Sequence, residues 1–223
     1  TLLVSSSAYK PEVEEEQIKA LVARGADGLL LIGYDRDPSV YEYLKRQNVP
    51  ALTAWAYSPD YEHPAIGFDN RAAMKLLTQE VLARGHREVG VISAITKGND
   101  RARERLHGIK EAVAEAGIDP LSLEVIETSY EIENGGDALE ALLQRKPEMT
   151  AVMCSNDVLG VGALMRAKRI GIEVPRDLSI TGFDDIELAR IISPELTTVH
   201  VPHREMGQHA AIELTAMVEK TSG

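Results

Sequence analysis

Residues 178–201 read LSITGFDDIELARIISPELTTVHV. Leu178–Phe183 predicts a strand, Asp184-Asp185 a sharp turn, and the residues after it a short helical turn. Thr197–Val201 predicts a second strand that runs straight into a helix at Pro202. The rest of the chain reads as strand–helix units that this segment joins.

Upstream the same rhythm recurs. Residues 1–8 read as a strand running out into serines. Lys10-Pro11 opens a helix with Glu12, Glu14 and Glu15 at its positive end and an apolar stripe of Val13, Ile18, Leu21 and Val22. Gly28 to Ile32 is an uninterrupted apolar run, expected to be a strand buried on both faces as parallel sheets require. A helix from Pro38 carries Val40, Tyr41 and Leu44, and strands follow at 50–55 and 65–68. The helix predicted over 71–84 would bury Ala73, Leu76, Leu77 and Val81. Further strands are expected at 89–93, 123–127 and 151–155, alternating with helices, one of which presents Leu106, Ile109 and Val113.

Strands separated by helices of about 12–15 residues imply βαβ crossovers and parallel sheets. Two such runs predict an α/β chain of two doubly wound lobes. Ligands of such sheets bind at the carboxyl ends of strands. Trp55, Asp69, the 94–105 stretch, Tyr130, Asn156 and Asp184 all follow predicted strands and are therefore candidates.

Composition narrows the function classes. The formal net charge of −11 makes the chain by itself a poor wrapper of nucleic acid or anionic membrane. No apolar run reaches the roughly 18–20 residues of a membrane span. The single cysteine, Cys154, lies in an apolar run and reads as a buried core residue, which suits a reducing compartment. The six histidines are scattered without ligand spacing, so no metal is expected. Gly160 and Gly162 lack the third glycine of a dinucleotide fingerprint and read as small-residue packing. No nucleophile elbow occurs, and Asp184-Asp185 has no evident nucleophilic partner, so an enzyme is not expected, nor a cofactor.

Specific residues carry more than this pattern. The run Val174-Pro175-Arg176-Asp177-Leu178-Ser179-Ile180-Thr181-Gly182-Phe183-Asp184-Asp185 resembles the signature of LacI/GalR-family bacterial transcriptional regulators. The resemblance continues through Ser193-Pro194-Glu195-Leu196-Thr197-Thr198-Val199 and Met206-Gly207. It includes Gly67-Phe68-Asp69-Asn70, Arg84-Gly85-His86-Arg87, Arg103-Glu104-Arg105-Leu106-His107-Gly108 and Ser155-Asn156-Asp157, in family order over nearly the whole chain.

The resemblance implies a periplasmic-binding-protein-like effector domain, two doubly wound parallel-sheet lobes joined by crossover strands with a small molecule between them. Residues 1–85 with 202–223 would form the N-terminal lobe and 86–201 the C-terminal lobe. The first crossover would fall near Gly85–Arg87, the second at Thr197–Val201, and the third after Gly223. The family's DNA-reading head, hinge helix, first core strand and first core helix match nothing in these residues, so the natural protein is expected to be longer.

The resemblance also implies roles for the candidates. Arg105 matches the family arginine that contacts effector, and Asp184 the effector-binding carboxylate. Arg101 and Arg103 share the start of Arg105's helix, where the dipole disfavours cations, so a ligand or surface ion pairs must account for them. Asn156 would contact ligand or cap its helix, Tyr130 would stack on a ring, and Trp55 would wall the pocket or face a dimer partner. The implied ligand is a sugar, sugar acid or similar polar metabolite. The implied protein is a cytoplasmic, homodimeric repressor that binds operator DNA through a head absent from these residues and does not use a membrane. A periplasmic sugar-binding protein of a transporter is the alternative.

Overall fold

The computed structural model describes residues 1–222. The chain packs as two units, the first comprising residues 1–69, 97–101 and the stretch from Pro202 onward, the second residues 70–96 and 102–201. Gly223, the last residue of the predicted N-terminal lobe, lies outside the described residues.

Unit 1 holds a parallel sheet in the order β1 (Leu29–Ile32), β2 (Ala51–Ala54) and β3 (Ala65–Ile66). α1 (Pro11–Ala23) and α2 (Pro38–Arg46) place Ile18, Val40 and Leu44 against Leu29 and Leu31. Proline opens both helices because its absent N–H is one the first turn cannot use. At Gly28 a side chain would run into Val218 and Leu214 of α8 (His203–Ser222).

Two expectations fail in unit 1. β1 is not buried on both faces, since Leu30 and Ile32 stay 40% and 44% exposed while Leu29 and Leu31 are covered. Residues 1–7 form no strand, and Leu2, Leu3 and Val4 are exposed. A β-rich run becomes a strand only where a neighbour takes its N–H and C=O groups. Residues 1–7 have no sheet partner among the described residues.

Unit 2 holds a parallel sheet in the order β5 (Glu124–Thr128), β4 (Val89–Ala94), β6 (Ala151–Cys154) and β7 (Ser179–Thr181). β4 and β6 are buried along their whole length. α5 (Ile132–Arg145) and α6 (Asp157–Arg169) meet through glycines, with the Ile132 and Leu159 carbonyl oxygens where side chains of Gly162 and Gly135 would stand. The small-residue reading of Gly162 is thus a backbone contact. Cys154 sits in the same core, where burial pushes its thiol pKa up.

α3 (Asn70–Ala83) packs in unit 2, although the sequence reading assigns it to the first lobe. It lies so close to α4 (Asp100–Glu115) that a side chain at Gly108 would strike the Arg71 carbonyl oxygen. Arg71–Glu111 and Lys75–Glu115 ion pairs flank this contact. The contact sets the helix phase, so Asn70, Met74, Thr78, Val81 and Leu82 are buried and the predicted core residue Leu76 is 64% exposed.

The 178–201 stretch builds β7, the two-carboxylate turn, α7 (Glu187–Ile191) and a return segment. The return is shorter than the predicted strand. It runs parallel to β7 through two isolated bridges, Thr181 with Thr197 and Asp184 with His200.

Candidate functional site

Arg105 is the most constrained of the predicted residues. It lies on α4 and is buried, and a buried guanidinium is tolerated only when its donors are used. Its Nε–H donates to Asn70 Oδ1 at 2.8 Å, Nη1 to the Ser155 carbonyl oxygen at 2.8 Å, and Nη2 to Asp184 Oδ1 at 3.1 Å. The guanidinium lies over the Phe183 ring, 3.7 Å from its centroid, where the ring quadrupole attracts a cation. One side chain thereby ties the start of α3 and the ends of β6 and β7 to α4.

Asp184 and Asp185 follow β7 with φ of 113° and 56°. Non-glycine residues avoid positive φ, and two in succession need outside support. The support begins at Asp157, a fully buried residue in the first turn of α6. Its Oδ2 accepts the Ile186 N–H at 2.8 Å and its Oδ1 accepts the Thr198 hydroxyl at 2.5 Å. Burial raises the Asp157 pKa, against those two hydrogen bonds. The Asp184 N–H donates to the Val199 carbonyl oxygen at 3.0 Å, and the Asp185 N–H to the Thr198 hydroxyl at 3.3 Å. The Asp185 carboxylate is gripped by Arg190 at 2.5 Å and His200 at 2.6 Å, which lower its pKa to about 2.

The other unit 2 candidates have plainer settings. Asn156 is the N-cap of α6, its side chain accepting the Leu159 N–H at 3.0 Å. Arg103 donates to the Thr96 carbonyl oxygen at 3.4 Å, and Thr96 is held by the Glu127 carboxylate at 2.9 Å. Tyr130 packs half-buried against the core of unit 2.

Unit 1 holds the remaining three. Trp55 follows β2 with φ of 62°, and its indole N–H donates to His203 Nδ1 at 3.3 Å. Arg101 pairs with Asp100 at 2.7 Å and lies over the Tyr9 ring. The same Asp100 carboxylate accepts the Tyr34 N–H at 2.7 Å, and Gly33 leaves the space that Asp100 and Arg101 fill. Asp69 is exposed just ahead of α3. A cleft of about 310 Å³ between α1 and α2, lined by Glu15, Lys19, Tyr43 and Arg46, contains none of the predicted residues.

Of the eight candidates the structure joins Arg105 directly to Asp184. Asn70, Ser155, Phe183, Asp157 and Thr198 were not among them. Asn70, Ser155, Phe183 and Asp157 each stand beside a predicted residue, and that adjacency was the only signal available for them, whereas Thr198 lies inside a predicted strand and had none. Among the described residues no group of three or more His, Cys, Asp or Glu could hold a metal ion. None of the described helices is long and apolar enough to cross a membrane.

Residues 78–223 match the family described as periplasmic binding protein-like domain. The HTH-type transcriptional regulator GntR of Escherichia coli K12 is 28% identical over 220 residues, covering 99% of this chain and 66% of the relative. The HTH-type transcriptional repressor CytR of the same strain is 32% identical over 214 residues, covering 96% and 62%. The chain therefore spans less than two thirds of the length of these curated relatives. The crystal structure of a LacI family transcriptional regulator from Silicibacter pomeroyi superposes with a TM-score of 0.88 at 29% identity, covering 98% of this chain and 82% of that one.

Proposed function

The chain belongs to the periplasmic-binding-protein-like domain family of LacI-type transcriptional regulators, and from that premise we propose that it is the effector-binding and dimerisation part of a repressor. The effector is a small polar metabolite, a sugar or sugar acid, and Arg105 and Asp184 are its principal polar contacts. The observation that carries this reading is the pairing of the buried Arg105 guanidinium, seated on Phe183, with the part-exposed Asp184 carboxylate where β6 and β7 end. A guanidinium fork suits hydroxyl pairs and carboxylates, and the Asp184 carboxylate accepts hydroxyl hydrogens. Arg103 and Asn156 add polar contacts, with Tyr130 as an apolar wall.

Operator DNA is read by a head outside these residues, paired by two-fold symmetry in a homodimer working in the cytoplasm. A chain of net charge −11 fits a division in which the head carries the phosphate contacts. Effector acts through its different affinities for the two states of the domain, and the size of the response equals that difference. Such a domain carries out no turnover.

The test is a thermal-shift panel of sugars, sugar acids and nucleobases on the full-length protein, with an operator gel shift alongside. One class of compound should raise the melting temperature by mass action and change operator occupancy. Asp184→Asn, which keeps the shape of the side chain, and Arg105→Ala should each abolish the shift. A shift that survives both replacements would overturn the pocket. A cleavable secretion signal ahead of these residues would overturn the regulator in favour of a transport protein.

A further inference from the structure

We propose that Asp157 and Thr198 are the positioning residues of the Asp184–Asp185 bend, holding Asp184 in the left-handed backbone conformation from which its carboxylate reaches Arg105. The inference rests on the reading of Asp184 as an effector contact, but the device itself is defined without any effector.

The bend needs such a device. Its two consecutive residues have φ of 113° and 56°, and neither is glycine. Conformations of this kind persist only where surrounding groups over-determine them. Both carboxylates reach away from the bend. Asp184 turns to Arg105 and Asp185 turns to Arg190 and His200. The backbone N–H groups of the bend are satisfied from outside it. Asp184 N–H goes to Val199 O, Asp185 N–H to Thr198 Oγ1, and Ile186 N–H to Asp157 Oδ2.

Thr198 Oγ1 is the centre of this arrangement. It donates its single hydrogen to Asp157 Oδ1 at 2.5 Å, which leaves its lone pairs to accept the Asp185 N–H. Asp157 closes the ring, because its own N–H donates to the Phe183 carbonyl oxygen at 2.9 Å. Its carboxylate thus binds the residue after the bend and its backbone the residue before. Gly182 completes the fit. Any side chain there would stand 2.3 Å from Asp157 Oδ1 and 2.7 Å from the Leu196 side chain. The glycine is therefore required by the approach of a carboxylate, since its own φ is not in the left-handed region.

Phe183, which the ring binds, and Asp184, which the ring spans, both meet the Arg105 guanidinium, the first through its ring face and the second through its carboxylate. A bend released into an extended conformation would carry the Asp184 carboxylate away from Nη2. The side-chain hydrogen bonds of Asp157 and Thr198 run to the backbone of the bend and to each other, so their part is positioning.

The experiment is nuclear magnetic resonance on the ligand-free full-length protein, comparing wild type with Thr198→Val, Thr198→Ser and Asp157→Ala. The 13Cα and 13Cβ shifts of Asp184 and Asp185 report left-handed against extended backbone, and the Arg105 Nε–H resonance reports its hydrogen-bonded state. Thr198→Val keeps the shape and removes the hydroxyl. It should move both aspartates out of left-handed shifts and broaden or lose the Arg105 Nε–H signal, while β4 and β6 amides stay in place. Thr198→Ser should restore the wild-type spectrum. Left-handed shifts retained in Thr198→Val and in any folded Asp157→Ala would overturn the positioning role, whatever compound the protein binds. Failure of the thermal-shift panel with these spectral changes intact would instead overturn the effector reading alone.

Discussion

The two sheets are made of similar apolar strands and end in different surroundings. In unit 2, β4 and β6 are buried at every position. In unit 1, β1 is as continuously apolar, LLLI, yet every second residue remains part-exposed. An apolar run therefore does not bury itself. It is buried on as many faces as there are helices to cover it, and the sequence of the strand does not count those helices. The same holds for the arginines at the start of α4. Arg105 is enclosed by partners from three elements, whereas Arg101 pairs with its chain neighbour Asp100.

The contrast between enclosed and half-covered regions can be broken by substitution. Arg105→Ala should have the largest effect, about 3–5 kcal/mol of stability, because it leaves Asp184 without its buried partner. Urea denaturation of unit 2 probes would measure it, and a loss near zero would mean that the pair is not enclosed in solution. Gly162→Ala should follow, at about 1–3 kcal/mol by overpacking, since the Ile132 carbonyl oxygen occupies the place of the new methyl. Its signature is separation of α5 from α6, seen as faster amide exchange in both helices.

The sharpest comparison is a matched pair of substitutions to threonine. Val152→Thr in β6 places a hydroxyl in the closed core and should cost about 1–3 kcal/mol. Ile32→Thr in β1 faces a part-exposed surface and should change stability by less than about 0.5 kcal/mol. Equal costs in the two denaturation midpoints would contradict the difference between the sheets.

The last comparison concerns the surface side of the bend. The Asp185 carboxyl titrates at about 2 in the folded protein, below its ordinary value of 3.8, because Arg190 and His200 favour the charged form. Its contribution is complete above the unfolded pKa and is lost as the pH falls through the folded one. The slope of stability between about pH 4 and pH 2 should therefore be shallower in Asp185→Asn than in wild type. Superimposable acid melts of the two proteins would show the pair to be idle.

Much of the fold was legible because strand and helix periods, proline starts and glycine stops are local properties. α1, α2 and α4 lie where those signals put them. The face of α3 was not legible, because Leu76 and Met74 are equally apolar and only the approach of Gly108 to Arg71 decides which one turns inward. At the candidate site, Arg105 and Asp184 were each legible as a charged residue of a family-like motif, but their pairing across 79 positions was not. Asn70, Phe183 and Thr198 were not, because a capping asparagine, a strand phenylalanine and a strand threonine have ordinary structural uses.

By itself the sequence determined an alternation of strands and helices, parallel sheets, and a family signature centred on residues 178–201. These follow from interactions that reach only a few residues along the chain. The tertiary structure alone decided that residues 1–7 find no sheet partner among the described residues, that α3 packs with unit 2, and that a buried aspartate bonds the residue after the bend. Each of these depends on which distant backbone groups and side chains come within hydrogen-bond or van der Waals reach, a condition that no local window of sequence contains.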